Sequence, residues 1–301
     1  MDNELDNTEK GELGERFVNE IAFNSFLKYW CYPGPLDIAN DNKEICDLLV
    51  VFKSVCVIIS VKNYSFKGNY ERYFRSTTDK AVRQIHGAEK TLFRDKVVLL
   101  KHPDRGPEEF RKQDIHHVYR IIVNLNTGVK VYQTAINDKG KDIIVMDAEA
   151  WQSAIGELDT LPDFLNYINK RALLTNKGPA VMLPREEFDF SQSDGQFLAQ
   201  LMFSMPKEGN FTSISGTELD LIATYYNNGM AFPKGLNDPK FNARSLKIDG
   251  EWLKFFNSDA YKKKQELEKP GYFVDEIVKD MIIDQQYGDK LARMLFALNR
   301  M

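Results

Sequence analysis

Residues 44–64 read EICDLLVVFKSVCVIISVKNY, and this stretch decides the fold that the sequence predicts. Two apolar runs, LLVVF and VCVII, are separated by Lys53-Ser54, which is the pattern of two antiparallel strands joined by a short turn. The turn lacks the glycine or asparagine that tight two-residue turns prefer, so a four-residue loop is an equal alternative. Both connections predict the same register, in which Asp47 lies opposite Ser60.

This register places three polar side chains on one face of the hairpin. Directly opposite side chains in an antiparallel pair point to the same face, with Cβ atoms about 5 Å apart. Lys62 follows Ser60 by two residues and therefore shares that face with Ser60 and Asp47. A carboxylate can hold Mg²⁺ together with several waters, and a lysine beside it can neutralise charge that develops on phosphorus. The pattern favours metal-dependent phosphodiester cleavage; the alternative is a surface hairpin whose ends are polar because they leave the core.

The 301-residue chain has the composition of an ordinary globular protein, with 43% hydrophobic and 28% charged residues. The net charge of -4 excludes a uniformly basic nucleic-acid coat but allows a local basic patch. No apolar stretch approaches the ~18 residues of a membrane span, and the acidic N-terminus is the opposite of a secretory signal. The three cysteines form no CxxC pair. We therefore expect a cytoplasmic protein with no membrane partner, disulfide framework or thiolate zinc site.

Strand and helix patterns alternate through the first half of the chain. Apolar periodicity predicts helices over 9–28, 77–93 and 147–173, the last broken at Leu161-Pro162, and strands over 95–100, 117–125, 129–136 and 142–147. Beyond the turn signal Asn176-Lys177-Gly178-Pro179 the pattern loosens, and further helices are predicted over 251–268 and 272–299. The prediction is an α/β domain over residues 1–178, followed by a mainly helical region over residues 179–301.

The helices on either side of the hairpin supply further candidate site residues. Glu15 lies beside the apolar stripe of the first predicted helix, where small neighbours permit close approach to a sheet, so it is the candidate for a second metal carboxylate. Lys80 and Gln84 lie one turn apart on the helix that follows the hairpin. The stretch from residue 62 to 96 is basic and interleaved with aromatic residues, which is typical of phosphate binding. Its candidate nucleic-acid contacts are Arg72, Arg75, Lys80 and Arg83; the alternative is a solvated basic face.

Four segments together resemble the PD-(D/E)xK superfamily of restriction-endonuclease-like nucleases. They are GELGE (11–15), CDLLVV (46–51), VIISVKN (57–63) and RYFRSTTDKAVRQIHGAEKTL (72–92). The chain is most similar to a bacterial branch of that superfamily whose hairpin ends in Ser-x-Lys or Gln-x-Lys. The resemblance covers about residues 8–175, and it implies a restriction-endonuclease-like central mixed sheet flanked by helices. The EWLKFFNSDAYKKKQE segment (251–266) also resembles the tail of that branch.

Carried over by position, the resemblance implies a role for each motif residue. Asp47 corresponds to the metal-binding aspartate, Lys62 to the motif lysine, Glu15 to the first-helix glutamate and Gln84 to the polar residue of the following helix. Ser60 departs from the pattern, because the superfamily usually has an acidic residue there. The remaining metal ligands would be Asp47, Glu15, the Val61 carbonyl and water, and Mg²⁺ is commonly held by only one or two carboxylates.

These observations lead to two hypotheses. The first is a Mg²⁺- or Mn²⁺-dependent nuclease that acts on DNA rather than RNA, in the bacterial or phage-defence setting that the resemblance suggests. In this hypothesis Lys62 assists the attacking water, and Ser60 is a weak or water-mediated metal ligand. The second hypothesis, motivated by Ser60, is a degenerate nuclease fold that binds nucleic acid or acts as a scaffold.

The region 179–301 contains none of these site patterns. Its final predicted helix has a broad apolar stripe that must pack on something. We therefore expect the region to serve recognition or assembly, through a homodimer or a protein partner, and its deletion to leave the first domain foldable.

Overall fold

The structure is a computed structural model, and it describes residues 7–125, 128–175, 180–183, 193–204, 212–233, 244–269 and 294. The strands are β1 (Cys31–Pro33), β2 (Leu36–Asp37), β3 (Lys43–Glu44), β4 (Leu48–Phe52), β5 (Val55–Asn63), β6 (Leu99–Lys101), β7 (Pro107–Glu109), β8 (His117–Leu125), β9 (Tyr132–Asp138), β10 (Lys141–Asp147), β11 (Ala180–Leu183), β12 (Thr212–Ser215) and β13 (Arg244–Lys247). The α-helices are α1 (Asn7–Phe23), α2 (Tyr70–Phe74), α3 (Lys80–Leu92), α4 (Ala148–Glu157), α5 (Leu161–Ala172), α6 (Ser193–Ser204), α7 (Glu218–Asn227), α8 (Glu251–Phe256) and α9 (259–269).

A large mixed sheet lies at the centre of the fold. Among the described residues it has nine strands in the order β1-β4-β5-β8-β10-β9-β11-β12-β13. Strands β5, β8 and β10 run parallel, while β4 is antiparallel to β5 and β9 is antiparallel to β10. Helices flank this sheet, as the α/β prediction required; β4 and β5 are buried along almost their whole length because helices cover them.

The β4–β5 hairpin has the predicted register. Phe52 pairs with Val55 and Leu48 with Ile59, which places Asp47, just before β4, opposite Ser60. The connection is the two-residue turn Lys53-Ser54, and Lys53 takes the positive φ of 51° that such turns require.

Helices α1 and α3 both pack on β5. The close approach of α1 depends on Gly14, because a Cβ added there would lie 3.0 Å from the side-chain atoms Asn63 Cβ and Leu125 Cδ1. The helical path toward α3 begins earlier than the predicted residue 77. It starts at Tyr70, where the Asn69 side chain accepts a hydrogen bond from Arg72 N, and it passes through a π-helical turn over Arg75–Asp79.

Other boundaries follow the predictions with local differences. The helix predicted over 147–173 is broken as expected, because Thr160 caps α5 and Pro162 occupies its first turn. The strand predicted over 95–100 is reduced to β6, which pairs with β7 in a separate two-stranded ribbon. The three cysteines are buried and unpaired. None of the described helices has the length and hydropathy needed to span a bilayer.

The second half of the chain extends the same sheet. Strand β11 pairs with β9, and β12 and β13 then continue the sheet in parallel. Core residues from this half, including Ile214, Leu221 and Tyr225, belong to the same buried apolar cluster as the hairpin. The predicted domain boundary at residues 176–179 lies outside the described residues, as does the helix predicted over 272–299 apart from position 294.

Candidate metal centre and nucleic-acid surface

The structure brings Asp47, Ser60 and Lys62 together at the edge of the β4–β5 hairpin. Asp47 Oδ2 accepts hydrogen bonds from the backbone N–H of Val61 at 2.5 Å and from Ser60 Oγ at 3.1 Å. Lys62 Nζ donates to Ser60 Oγ at 2.9 Å and lies 3.6 Å from Asp47 Oδ2. Ser60 thus stands between the carboxylate and the ammonium and contacts both.

Burial changes the chemistry of this lysine. Only 10% of the Lys62 side chain is exposed. Desolvation lowers the pKa of Lys62, and the positive charge of Lys80 lowers it further, while Asp47 opposes both effects. A lysine with a lowered pKa gives up its proton more readily than a solvated one, so Lys62 is suited to proton transfer as well as to charge neutralisation.

Three carboxylates converge beside this lysine. One carboxylate oxygen from each of Glu15, Glu44 and Asp47 lies within 4.8 Å of the others. Burial raises the pKa of Glu15 to about 7, and the nearby charges of Asp47 and Glu44 act in the same direction. Partial desolvation and the charge of Asp47 likewise raise the pKa of Glu44. Three carboxylates this close together fit a hard divalent cation such as Mg²⁺ or Mn²⁺, whose charge would offset the repulsion that raises the pKa values of Glu15 and Glu44.

Glu44 is the site residue that sequence analysis missed. It belongs to the short ribbon of β2 and β3, in which Glu44 pairs with Leu36. A two-residue strand has no periodicity to detect, and the Glu44 side chain is exposed like many surface glutamates. The only available signal was an acidic residue three positions before Asp47.

The two other predicted site residues, Val61 and Gln84, form hydrogen bonds within the site. The Val61 carbonyl, predicted to hold metal, accepts a hydrogen bond from Lys62 Nζ at 2.5 Å. Gln84 reaches the site from α3, as predicted, and its Oε1 lies 3.1 Å from Ser60 Oγ. Because a hydroxyl has one proton, Ser60 can donate to either Asp47 or Gln84 but not to both at once.

The predicted nucleic-acid contacts lie on the surface of α2, α3 and the turn between them. Arg72, Lys80 and Arg83 are exposed. Lys80 lies close enough to the site for its positive charge to lower the pKa of Lys62. Arg75 forms an exposed ion pair with Glu71 at 3.1 Å. Exposed pairs of this kind contribute little, so Arg75 could exchange Glu71 for a phosphate at small cost.

No protein-family model matches this chain, and no curated protein matches its sequence.

Proposed function

We propose that this chain is a Mg²⁺- or Mn²⁺-dependent nuclease that cleaves phosphodiester bonds in DNA. The observation that carries the proposal is the convergence of Glu15, Glu44 and Asp47 within 4.8 Å, next to a lysine that is almost fully buried. Acidic clusters alone are common on protein surfaces. A buried lysine 3.6 Å from one of the carboxylates is much less common, because burying an ammonium is costly.

Each residue has a distinct task in this proposal. The three carboxylates would hold the cation, which lowers the pKa of a bound water and compensates charge on the phosphate. Lys62, as the neutral amine, would accept a proton from the attacking water, and the resulting ammonium would neutralise the charge that develops on the phosphoryl oxygens. Ser60 would position the Lys62 ammonium and the Asp47 carboxylate through its hydrogen bonds, and Gln84 would act through its contact with Ser60. The exposed Lys80, Arg72 and Arg83 would bind phosphates of the substrate that flank the cleaved bond on the α2–α3 side of the site.

Cleavage of plasmid, single-stranded DNA and RNA in Mg²⁺, Mn²⁺ or EDTA tests this proposal. Asp47→Asn and Lys62→Met should each lower the metal-dependent rate by at least ~10²-fold, since each removes a group that acts on the transition state. Glu266→Gln on α9 and Lys90→Met on α3 are exposed, charge-matched controls and should retain the rate. Metal-dependent cutting that survives both Asp47→Asn and Lys62→Met would exclude the proposed site.

A second candidate function is nucleic-acid binding without cleavage. It is favoured by Ser60, whose hydroxyl occupies a position between Asp47 and Lys62 where an acidic side chain would add a further metal ligand. In that case the wild-type protein would bind DNA with a steep salt dependence but leave it intact in every metal. Combined neutralisation of Arg72, Arg75 and Arg83 would then abolish binding, whereas Lys62→Met would not.

A further inference from the structure

A cavity of about 460 Å³ adjoins the carboxylate cluster. It lies between α1, the end of β1 at Pro33 and the loop that carries Pro103, and it opens to solvent. Its lining includes Glu12, Glu15, Arg16, Glu20 and Phe23 from α1. The volume lies within the range of small-molecule sites, roughly 300–1,000 Å³. It is therefore large enough for one nucleotide base but cannot admit a duplex.

The cavity and the candidate metal centre share walls. Glu15 lines the cavity and also belongs to the carboxylate cluster. On the opposite side, Pro33 is followed by Gly34, whose N–H donates to the Asp47 carbonyl at 3.0 Å. A Cβ added at Gly34 would lie 3.8 Å from Glu44 Oε1. A phosphate bound at the carboxylate cluster would consequently have the cavity directly beside it.

The chemistry of the cavity fits a base better than a phosphate. Phe23 and the two prolines offer flat apolar surfaces of the kind on which bases stack. His102 is buried behind them, with its ring centroid 6.2 Å from that of Phe23, which limits the movement of this wall. Glu12 and Glu20 are exposed and acidic, and together with Glu15 they outnumber Arg16, the one cationic residue among the described residues of the lining. Their carboxylates repel phosphates but accept hydrogen bonds from the exocyclic amino group of a base, as Asp and Glu do from cytosine.

We propose that this cavity takes one unpaired base of a nucleic-acid strand whose neighbouring phosphate lies at the Glu15–Glu44–Asp47 cluster. The inference deepens the proposed function, on which it rests, by giving a substrate class: single-stranded or locally unpaired DNA. A base inside the cavity is unstacked and unpaired, so binding of an intact duplex would include the free-energy cost of unpairing that base. Phe23 supplies the stacking surface, and Glu20 favours bases that carry an amino group.

Binding and cleavage measured separately test this inference on the full chain. Fluorescence anisotropy in Ca²⁺ should show about tenfold tighter binding of labelled oligodeoxycytidine than of oligodeoxythymidine or of a duplex. Glu20→Gln should reduce the preference for cytidine over thymidine to less than about twofold while leaving the affinity for thymidine unchanged. Phe23→Leu, which keeps apolar volume at the wall, should weaken single-strand binding about tenfold and leave duplex binding unchanged.

Matched variants elsewhere control for general effects. Phe203→Ala removes an aromatic ring that is 91% exposed on α6, and Glu266→Gln removes an exposed charge on α9; neither should change binding. Equal affinity for cytidine, thymidine and duplex in the wild type would overturn the inference even if the protein cleaves DNA. A cytidine preference that Glu20→Gln abolishes, in a protein that cleaves nothing in any metal, would support the cavity and reject the nuclease.

Discussion

The Ser60 hydroxyl connects the charged side chains of the candidate metal centre through its hydrogen bonds. It accepts from the Lys62 ammonium at 2.9 Å and lies 3.1 Å from Asp47 Oδ2, so it contacts both members of an ion pair whose charged atoms lie 3.6 Å apart. A neutral hydroxyl in this position keeps the number of buried charges low. A carboxylate there would add a metal ligand and place one more charge in a buried site.

Replacing Ser60 with an acidic residue should therefore lower the stability of the metal-free protein and raise its affinity for the metal. Ser60→Asp should lower the Tm in EDTA, because an added buried carboxylate repels Asp47. It should increase the Mg²⁺-induced rise in Tm, since about tenfold tighter binding adds about 1.4 kcal/mol to the unfolding free energy at saturating metal. Thermal denaturation with and without Mg²⁺ measures both effects. Ser60→Asn is the control, because asparagine has nearly the shape of aspartate but no charge. A Mg²⁺-induced rise in Tm as large for Ser60→Asn as for Ser60→Asp would contradict this account.

His102 links the loop that carries Pro103 to the segment that follows α1. Its Nε2 lies 3.0 Å from the Lys28 carbonyl, and its Nδ1 accepts a hydrogen bond from the Asp104 N–H, so the imidazole is held neutral with Nε2 as the donor. Burial lowers its pKa from 6.5 to about 4, and the charge of Arg105 adds to this effect. Protonation of His102 is thus easier in the unfolded chain than in the folded one.

The sign of the pH dependence follows from this difference. The folding free energy contributed by neutral His102 is fully present above pH 6.5 and is lost as the pH falls from 6.5 to about 4, by about 3 kcal/mol in total. His102→Gln cannot titrate, so its unfolding free energy should fall less over this interval than that of the wild type. Urea denaturation at a series of pH values measures the difference, and parallel curves for the two proteins would refute it.

At the scale of elements, the central hairpin was predictable because everything that specifies it is local. Two β-rich apolar runs and a two-residue turn fix the register, and the register alone brings Asp47, Ser60 and Lys62 together. The close approach of α1 to the sheet was also predictable, because the packing requires the glycine at position 14. These elements provide most of the site.

The short strands could not be predicted for the opposite reason. Strand β1 has three residues within a proline- and glycine-rich stretch that resembles a loop, and β11, β12 and β13 have four each. Such strands are stabilised by partners distant in sequence, as when Ala180 pairs with Ala135, and no local pattern encodes that pairing. Glu44 was missed for the same reason, since the ribbon that places it has two residues in each strand.

Helix α6 shows how the later part of the chain reaches the candidate nucleic-acid surface. The side chain of Gln200 accepts a hydrogen bond from the Tyr70 N–H at 2.8 Å and donates to the Gly68 carbonyl at 3.1 Å. Phe197 packs edge-on against Phe66, Tyr70 and Tyr73. The aromatic residues of the basic stretch therefore form a small second core under α6, and α2 presents Arg72 outward from it.

For the whole molecule, a buried ion pair joins the two halves of the chain. Arg171 on α5 is fully buried, and its Nε and Nη2 donate to the Glu218 carboxylate on α7 at 3.0 and 3.2 Å. Tyr167 donates to the same carboxylate at 2.5 Å, and Arg171 also contacts Thr134 on β9. The pair thus spans the predicted boundary at residues 176–179. A chain that ends at residue 178 would therefore leave Arg171 without its counter-charge.

Glu218→Gln tests whether the halves unfold as one unit. The substitution preserves shape but leaves a buried guanidinium without an anion, which should cost about 3–5 kcal/mol. If the sheet and core are one cooperative unit, hydrogen exchange should show the same loss of protection for amides in β5 and β12. Glu251→Gln breaks the exposed pair with Lys254 and should cost at most about 1 kcal/mol. Loss of protection in β12 with β5 unchanged would instead mean that the region after residue 179 unfolds independently, and that residues 1–178 can fold without it.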